Sequence, residues 1–435
     1  MESSLGGTIM NLKAARGTVD ILPKDSKKWQ YVESVLKETC DRFNFKEIRT
    51  PMFEHTEVFQ RGVGETTDIV QKEMYTFPDR GGRSLTLRPE GTAGVVRAFV
   101  QNKLYGSPIQ PTKLYYFMEL FRYERPQQGR MRQLHQFGVE ALGSSDPAID
   151  AEVIALAMTC YRALGLKSLK LVLNSLGDKA SRESHRAALV AHFSPHIDSL
   201  CSDCQQRLDE NPLRVLDCKR DMDHPAMEDA PSILSHLNEE STLYFTTVKK
   251  YLDLMDIPYV IDPKLVRGLD YYNHTAFEVM SEAEGFGAIT TLLGGGRYNG
   301  LTEELGGPDT PGIGFGMGIE RLLMALEAEG IELPIEDELD CFFVAIGDEA
   351  EVEAVRLVHE LRMHGIQVDK DYQGRKIKAQ FKAADRVHAR YVLVLGESEL
   401  TNNIINIRSM DTGDQVEVPI NELVDVMKEK LRGGS

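Results

Sequence analysis

Residues 312–326 read GIGFGMGIERLLMAL, with Ile313, Phe315, Met317 and Ile319 alternating against Gly312, Gly314, Gly316 and Gly318. A period of two predicts a strand with one apolar face and one face of bare backbone. Four glycines weaken a strand, so the bare face needs a reason, and close approach of a flat ligand supplies one. Glu320 and Arg321 stand where this strand gives way to a helix over 319–329. Tight helix–strand packing is the alternative, and it leaves the charged pair unexplained.

The rest of the chain sets this strand in an α+β context. Residues 26–40 carry Trp29, Val32, Val35 and Leu36 at helical spacing. Strand-like stretches follow at 46–49, 73–77, 84–87 and 113–121, then a long helix over 150–164 and a strand over 169–174. Strands arrive in runs, which predicts an antiparallel sheet with flanking helices. Residues 177–263 turn polar and helical and interrupt that pattern, as an inserted subdomain does. Strand signals resume at 276–280 and 288–293. The proline-containing stretch 329–340, EGIELPIEDELD, predicts a linker between a first domain over 1–328 and a second over 341–435. In the second, strand CFFVAI, a helix, strand IQVDKDY, a basic helix and strand YVLVLG predict an α/β fold. Residues 1–9 read as an extension before Met10, and the closing RGGS as a frayed end or a non-native scar.

Composition narrows the setting. The 435 residues are 42% hydrophobic and 27% charged, a soluble globular profile. No apolar run reaches membrane-spanning length, and the first ten residues lack the basic start and apolar core of a signal peptide. Six thinly spread cysteines fit a reducing compartment, the cytoplasm. A net charge of −17 argues against a nucleic-acid partner, but binding depends on where positive charge gathers. Lys378, Lys382, Arg386 and Arg390 recur every fourth residue, one basic stripe if the segment is helical. That stripe is either a solvated face or a contact to a phosphate backbone.

Neither a GxxxxGK[ST] loop nor a helix-opening GxGxxG is present, so a bound nucleotide would be held by other means. FRYERPQQGRMRQLHQF (121–137) places Arg122, Arg125, Arg130 and Arg132 around a Pro126–Gly129 turn, opposed only by Glu124. Arginine forks suit polyphosphate, and several in one loop repel one another without an anion; a hairpin with surface ion pairs is the alternative. In TLRPEGTAGVVRAF (86–99), Glu90 and Thr92 sit at a strand-to-helix turn, to grip an ammonium group or to cap the helix. LVRGLDYYN (265–273) puts a full positive charge and two phenols together, which a buried strand would not normally carry, and suggests an anion site with phenols beside it. Cys201, Cys204 and Cys218 with His224 make a conceivable Cys₃His set, but the spacing misses the usual paired pattern and no metal ligand is assigned.

Together these motifs resemble the three signatures of class II aminoacyl-tRNA synthetases. TPMFEHTEVF around Pro51 is similar to the first, dimer-forming motif, FRYE with its arginine loop to the second, and GFGMGIER to the third. LVRGLDYYNHTAFE and LLGGGRYNGL are similar to the two histidine-specific motifs of the histidyl-tRNA synthetase family. The resemblance also takes in the N-terminal RGTVDILP, the insertion and an anticodon-type C-terminal domain.

The resemblance implies a homodimer that activates L-histidine with ATP and Mg²⁺ and transfers it to tRNA(His). It implies that Arg122 sits on the α-phosphate, Arg321 on the bent triphosphate and adenine, Glu124 on the adenine amino group and Arg130 on the outer phosphate. Arg267 would meet the α-phosphate and substrate carboxylate from the other side, where other class II enzymes place a metal ion. Glu90, Thr92 and Gln136 would bind the ammonium and carboxylate end of histidine. Glu140 and Tyr272 would face the imidazole, with Tyr271 beside them, and Gln127 would meet the acceptor end of the tRNA. Family members often carry an aromatic residue over the adenine where this chain has Leu134, with Phe137 three further on. A non-catalytic regulatory paralogue from histidine biosynthesis lacks the anticodon domain and has degraded histidine motifs, whereas both are present here. Synthetases for proline, threonine or glycine do not fit LVRGLDYYN and GGGRYNG.

Overall fold

The computed structural model describes residues 12–64, 67–127, 129–216, 218, 220–287, 290–335 and 338–432. The expected extension at 1–9, the first two residues of the strand expected at 288–293 and the last three residues of the chain lie outside them. Two compact units meet at Leu333/Pro334.

In the first unit, α1 (Pro23–Arg42) leads into β1 (Lys46–Glu47) and β2 (Phe53–His55), and α2 (Thr56–Val63) follows. Residues 69–73 form a π-helical turn, so the strand expected at 73–77 shortens to β3 (Thr76–Pro78). It pairs with β4 (Ser84–Leu87), which also pairs with β2, in a separate three-stranded sheet. Then come α3 (Thr92–Gln101), the paired β5 (Thr112–Phe121) and β6 (Gln133–Leu142), α4 (Pro147–Ala163) and β7 (Leu169–Ser175). The helical stretch runs through α5 (Lys179–Phe193), α6 (Ser202–Glu210), α7 (Pro225–Glu228) and α8 (Glu239–Leu254) to β8 (Val260–Ile261). Last are β9 (Asn273–Ser281), β10 (Thr291–Arg297), α9 (Leu301–Glu304), β11 (Gly312–Gly318) and α10 (Ile319–Ala328).

Eight of these strands form one sheet in the order β1-β5-β6-β11-β10-β9-β7-β8, antiparallel except at its two edges. Strand alternation sorts its residues into two faces. Phe137 and Val139 of β6, Phe277 and Val279 of β9, and Phe315 and Met317 of β11 bury against α1, α4, α8 and α10 through Leu36, Ile154, Val248 and Leu322. The opposite face carries the polar residues considered below. Within 177–263, only residues 189–227 build a core of their own, from Leu189, Phe193, Cys204, Leu208, Val215 and Met227. Helix α8 instead packs on the main core, and β8 extends the main sheet, because their apolar residues face α4 and β7.

The second unit has β12 (Leu339–Ala345), α11 (Asp348–Met363), β13 (Val368–Lys370), α12 (Ile377–Arg386), β14 (Ala389–Leu395), α13 (Glu397–Thr401), β15 (Ile404–Ser409), β16 (Gln415–Pro419) and α14 (Leu423–Arg432). Its sheet runs β13-β12-β14-β15-β16, with a parallel half and an antiparallel half. Helices α11 and α14 cover one face and α12 the other, the usual protection of a parallel core. Lys378, Lys382 and Arg386 lie exposed along α12, but Arg390 does not continue the stripe. The helix ends at Arg386, His388 takes a left-handed conformation (φ 48°), and Arg390 falls on β14 with Glu338 3.9 Å away.

Candidate active site

Strand register explains the glycines. Gln136 is paired with Gly318; Gly138 is in line with Gly316, Gly294 and Glu278; Glu140 is in line with Gly314 and Gly296. Two central strands therefore present a trough of bare backbone, walled by polar residues of β6 and β9. The trough is not left open for a flat ligand, as the alternation alone suggests. A Cβ on Gly314 would overlap the Glu140 carboxylate, one on Gly316 the Gln136 amide, one on Gly312 the Tyr298 ring and one on Gly294 the Arg267 guanidinium. The missing side chains make room for the chain's own site residues, and only at Gly318 does the space stay free to 3.9 Å.

A cavity of about 260 Å³ lies over this face. At one end Glu140, fully buried, accepts from the Thr92 hydroxyl at 2.8 Å, the Tyr116 hydroxyl at 3.2 Å and the Tyr298 hydroxyl. Burial pushes its carboxyl up to about 8 despite those donors. The rings of Tyr271 and Tyr272 lie 4.6 Å apart, with Tyr298 5.6 Å from Tyr271. Burial, with the carboxylates nearby, raises all four phenols, so they remain donors at neutral pH. Glu90 does cap a helix, accepting from the backbone N–H groups of Thr92 and Ala93 at 2.8 Å each. It also lines the cavity, so the cap fixes its carboxylate in place. Gln136 lies beside it, within 3.5 Å of the Tyr116 hydroxyl.

The other end is cationic. Arg122 donates to the Pro89 carbonyl at 2.7 Å, and Glu124 lies between Arg122 (3.8 Å) and Arg130 (2.9 Å). Arg321 donates to the carbonyls of Gly129 at 3.0 Å and Thr291 at 2.6 Å, tying the loop to β10. Glu320 accepts from the His135 backbone at 3.0 Å and meets its ring Nδ1 at 2.8 Å. Burial, then Arg130 and Arg122, pushes the Arg321 guanidinium down, as expected of crowded cations without an anion. Arg267 reaches in from the far wall, paired with Glu278 and 5.6 Å from the Tyr272 ring centre. Burial opposes its charge most, and Glu278 together with the Tyr272 and Tyr271 phenols outweighs it, so its pKa is raised. The Nε of Arg267 has no partner among the described residues.

Every expected site residue except Glu140 and Gln127 borders this cavity. Glu140 stands one layer behind, and Gln127 is exposed at the loop tip, bridged through its backbone to Arg130. Leu134 borders the cavity, while Phe137 is fully buried on the opposite face of the sheet. Tyr116, Tyr298 and Glu278 were not singled out from sequence. Their signal is positional: each phenol fills the space of a glycine on a neighbouring strand, Gly138 for Tyr116 and Gly312 for Tyr298.

A sequence profile described as histidyl-tRNA synthetase matches residues 17–322, and one described as an anticodon binding domain matches 340–430. A histidine–tRNA ligase from Oceanobacillus iheyensis is 67% identical over 98% of this chain and 99% of its own length. Another, from Anoxybacillus flavithermus, is 65% identical over 97% and 100%. The crystal structure of apo histidyl-tRNA synthetase from S. aureus superimposes with a TM-score of 0.84 at 52% identity, covering 96% of this chain and all of that one. With profile, full-length identity and fold in agreement, the chain belongs to the histidyl-tRNA synthetase family.

Proposed function

We infer that the chain is an aminoacyl-tRNA ligase that activates L-histidine with ATP and transfers it to the 3′ end of tRNA(His). The observation that carries this reading is one cavity with a phenol and carboxylate end beside an arginine end. The histidine carboxylate, already ionised, attacks the α-phosphorus, an O–P bond forms, and pyrophosphate departs. No strong base is needed; the demand is for positive charge around the phosphorane-like transition state. Arg122 and Arg267 approach that phosphorus from two walls, while Arg130 and Arg321 hold the outer phosphates. Glu124 reads the adenine amino group, and Leu134 packs on the base. Magnesium accompanies ATP. Glu124 and Glu320 are the carboxylates at this end that could hold the ion, which would offset charge on the outer phosphates. In the second step the terminal ribose hydroxyl displaces AMP, with Gln127 at the acceptor end. Pyrophosphate exchange with each of the twenty amino acids tests the specificity: histidine alone should give exchange, and another amino acid exchanging in its place would overturn the assignment.

Glu90, Thr92 and Gln136 receive the ammonium and carboxylate end, and Glu140 with Tyr272 reads the imidazole, Tyr271 flanking. A carboxylate offers about four acceptor positions, and the three hydroxyls fill three, leaving one for an imidazole N–H. The bound pair then holds a single proton between carboxyl and ring. Below the imidazole's ordinary pKa of about 6.5, both groups arrive protonated and binding must expel a proton. Above about 8 neither does, and binding must take one up. Histidine affinity should therefore fall on both sides of that window. Glu140→Gln should lose the upper flank while keeping the lower, measured by calorimetry in buffers of different ionisation enthalpy. An unchanged upper flank in the variant would remove Glu140 from the proton count.

Lys378, Lys382 and Arg386 on α12 meet the tRNA backbone. Reversing Lys378 and Lys382 to Glu should lower aminoacylation by on the order of tenfold at low salt and leave pyrophosphate exchange intact. Equal loss of both activities would mark a stability effect instead. The chain works as a homodimer in the cytoplasm: Met52, Phe53 and Phe77 expose apolar surface at the small sheet that carries the first motif, and none of the six cysteines is joined in a disulfide.

A further inference from the structure

The core at residues 189–227 contains a cluster that the ligase reaction does not use. The sulfurs of Cys201, Cys204 and Cys218 and a carboxylate oxygen of Asp221 all lie within 4.8 Å of one another. We propose that these four side chains form a closed, tetrahedral structural site for Zn²⁺ or a similar thiophilic divalent cation.

Geometry selects a metal over the alternatives. The Cys201 and Cys218 sulfurs are 3.7 Å apart. A tetrahedron with Zn–S bonds of about 2.3 Å has an edge of about 3.8 Å, whereas a disulfide brings the sulfurs to about 2.05 Å. Cys204 and Cys218 are buried, and Cys201 and Asp221 half-buried, so thiolates and a carboxylate gathered there are costly unless a bound cation offsets their charge. The backbone already directs N–H groups at the sulfurs: that of Cys204 at Cys201, and those of Arg220 and Asp221 at Cys218. The Cys201 N–H also holds the Asp221 carboxylate at 2.9 Å. Such second-layer bonds orient ligands and stabilise thiolates. Cys201 immediately precedes α6 and Cys204 lies in its first turn, where the helix dipole favours negative charge.

The sequence offers His224 only as a conceivable fourth ligand, and the structure engages it elsewhere. Its Nε2 lies 3.0 Å from the Ser199 hydroxyl, and its Nδ1 accepts from the Ala226 N–H at 3.1 Å, capping α7. Asp221 takes the place, its carboxylate oxygen lying within 4.8 Å of the three sulfurs. A metal here would join the start of α6 to Cys218 and Asp221. The small core at 189–227 would then gain a cross-link that its few apolar residues do not supply.

The full chain, purified without a polyhistidine tag and under reducing conditions, should carry about one Zn²⁺ per chain by mass spectrometry of its metal content. Co²⁺ added to the stripped protein should give thiolate charge-transfer absorption and the visible bands of a tetrahedral site. Cys204→Ser with Cys218→Ser should abolish both signals. If that variant does not fold, Asp221→Asn decides: it removes one oxygen ligand, so Co²⁺ should bind at least tenfold more weakly while the charge-transfer bands remain. Metal content no higher than in the cysteine variant, a Co²⁺ spectrum without thiolate bands, unchanged Co²⁺ affinity in Asp221→Asn, or a native Cys201–Cys218 disulfide would each overturn the proposal.

Discussion

Arg267→Ala should lower the rate of histidine-dependent pyrophosphate exchange by on the order of 10²–10³-fold and leave the fold intact. The guanidinium is a fixed cation on the wall opposite Arg122, mostly buried and held by Glu278, with its Nε turned to no acceptor among the described residues. It needs no reorganisation when charge spreads over the transferring phosphate, which is what makes such a group worth more in the transition state than in the ground state. Loss should therefore fall on kcat more than on the KM for histidine. The fold should survive because Glu278 keeps a hydrogen bond from the Thr291 hydroxyl at 3.0 Å. Gly294→Ala makes an independent version of the same experiment, since the new Cβ would occupy the position of the Arg267 guanidinium. It should reproduce the defect without removing any charge. Normal exchange in Arg267→Ala would exclude this arginine from the chemistry. Normal exchange in Gly294→Ala alone would show that the guanidinium works from another position.

How far the sequence carries depends on whether a feature is local. The alternation at 312–319 is local, and it correctly puts Ile313, Phe315 and Met317 in the core. What occupies the other face is not local. The side chains that fill the glycine spaces come from β6, from the 265–272 loop and from the turn after β10, and only strand register brings them there. The same limit explains Asp221, whose place beside three cysteines follows no spacing rule in the sequence. Arg390 shows the converse. A four-residue repeat persists in the sequence past the point where the backbone stops being helical, because nothing in a charge pattern registers a left-handed residue at 388. Of the two roles the sequence offers for Glu90, the cap is observed, and its bonds fix the carboxylate at the cavity wall.

Asp150→Ala should cost about 3–5 kcal/mol of stability in the first unit. Asp150 and Arg297 are both fully inaccessible, and their ion pair joins α4 to the end of β10. The pair is also saturated: Thr275 donates to Asp150 at 2.6 Å, and Arg297 donates to the Ser144 carbonyl at 2.9 Å and to Asn299 at 3.2 Å. Deleting the carboxylate strands a guanidinium that cannot reach water, and this penalty, more than the lost attraction, sets the size of the effect. A double variant, Asp150→Leu with Arg297→Met, removes both charges and should recover much of the loss. The chain's single tryptophan, Trp29, packs on His135 in the first unit, so its fluorescence follows that unit's unfolding in urea without interference from the second. A shift below 1 kcal/mol for Asp150→Ala would show that the pair is not the anchor described. The anchor also has a functional reading. Arg297 points to the core side of the sheet and Tyr298, the next residue, to the pocket side, where its hydroxyl meets Glu140. Loosening Arg297 should free Tyr298, so folded Asp150→Ala should show a raised KM for histidine with a near-normal KM for ATP. Equal changes in both would mean that the whole sheet has shifted, and that the ion pair does not position the histidine end in particular.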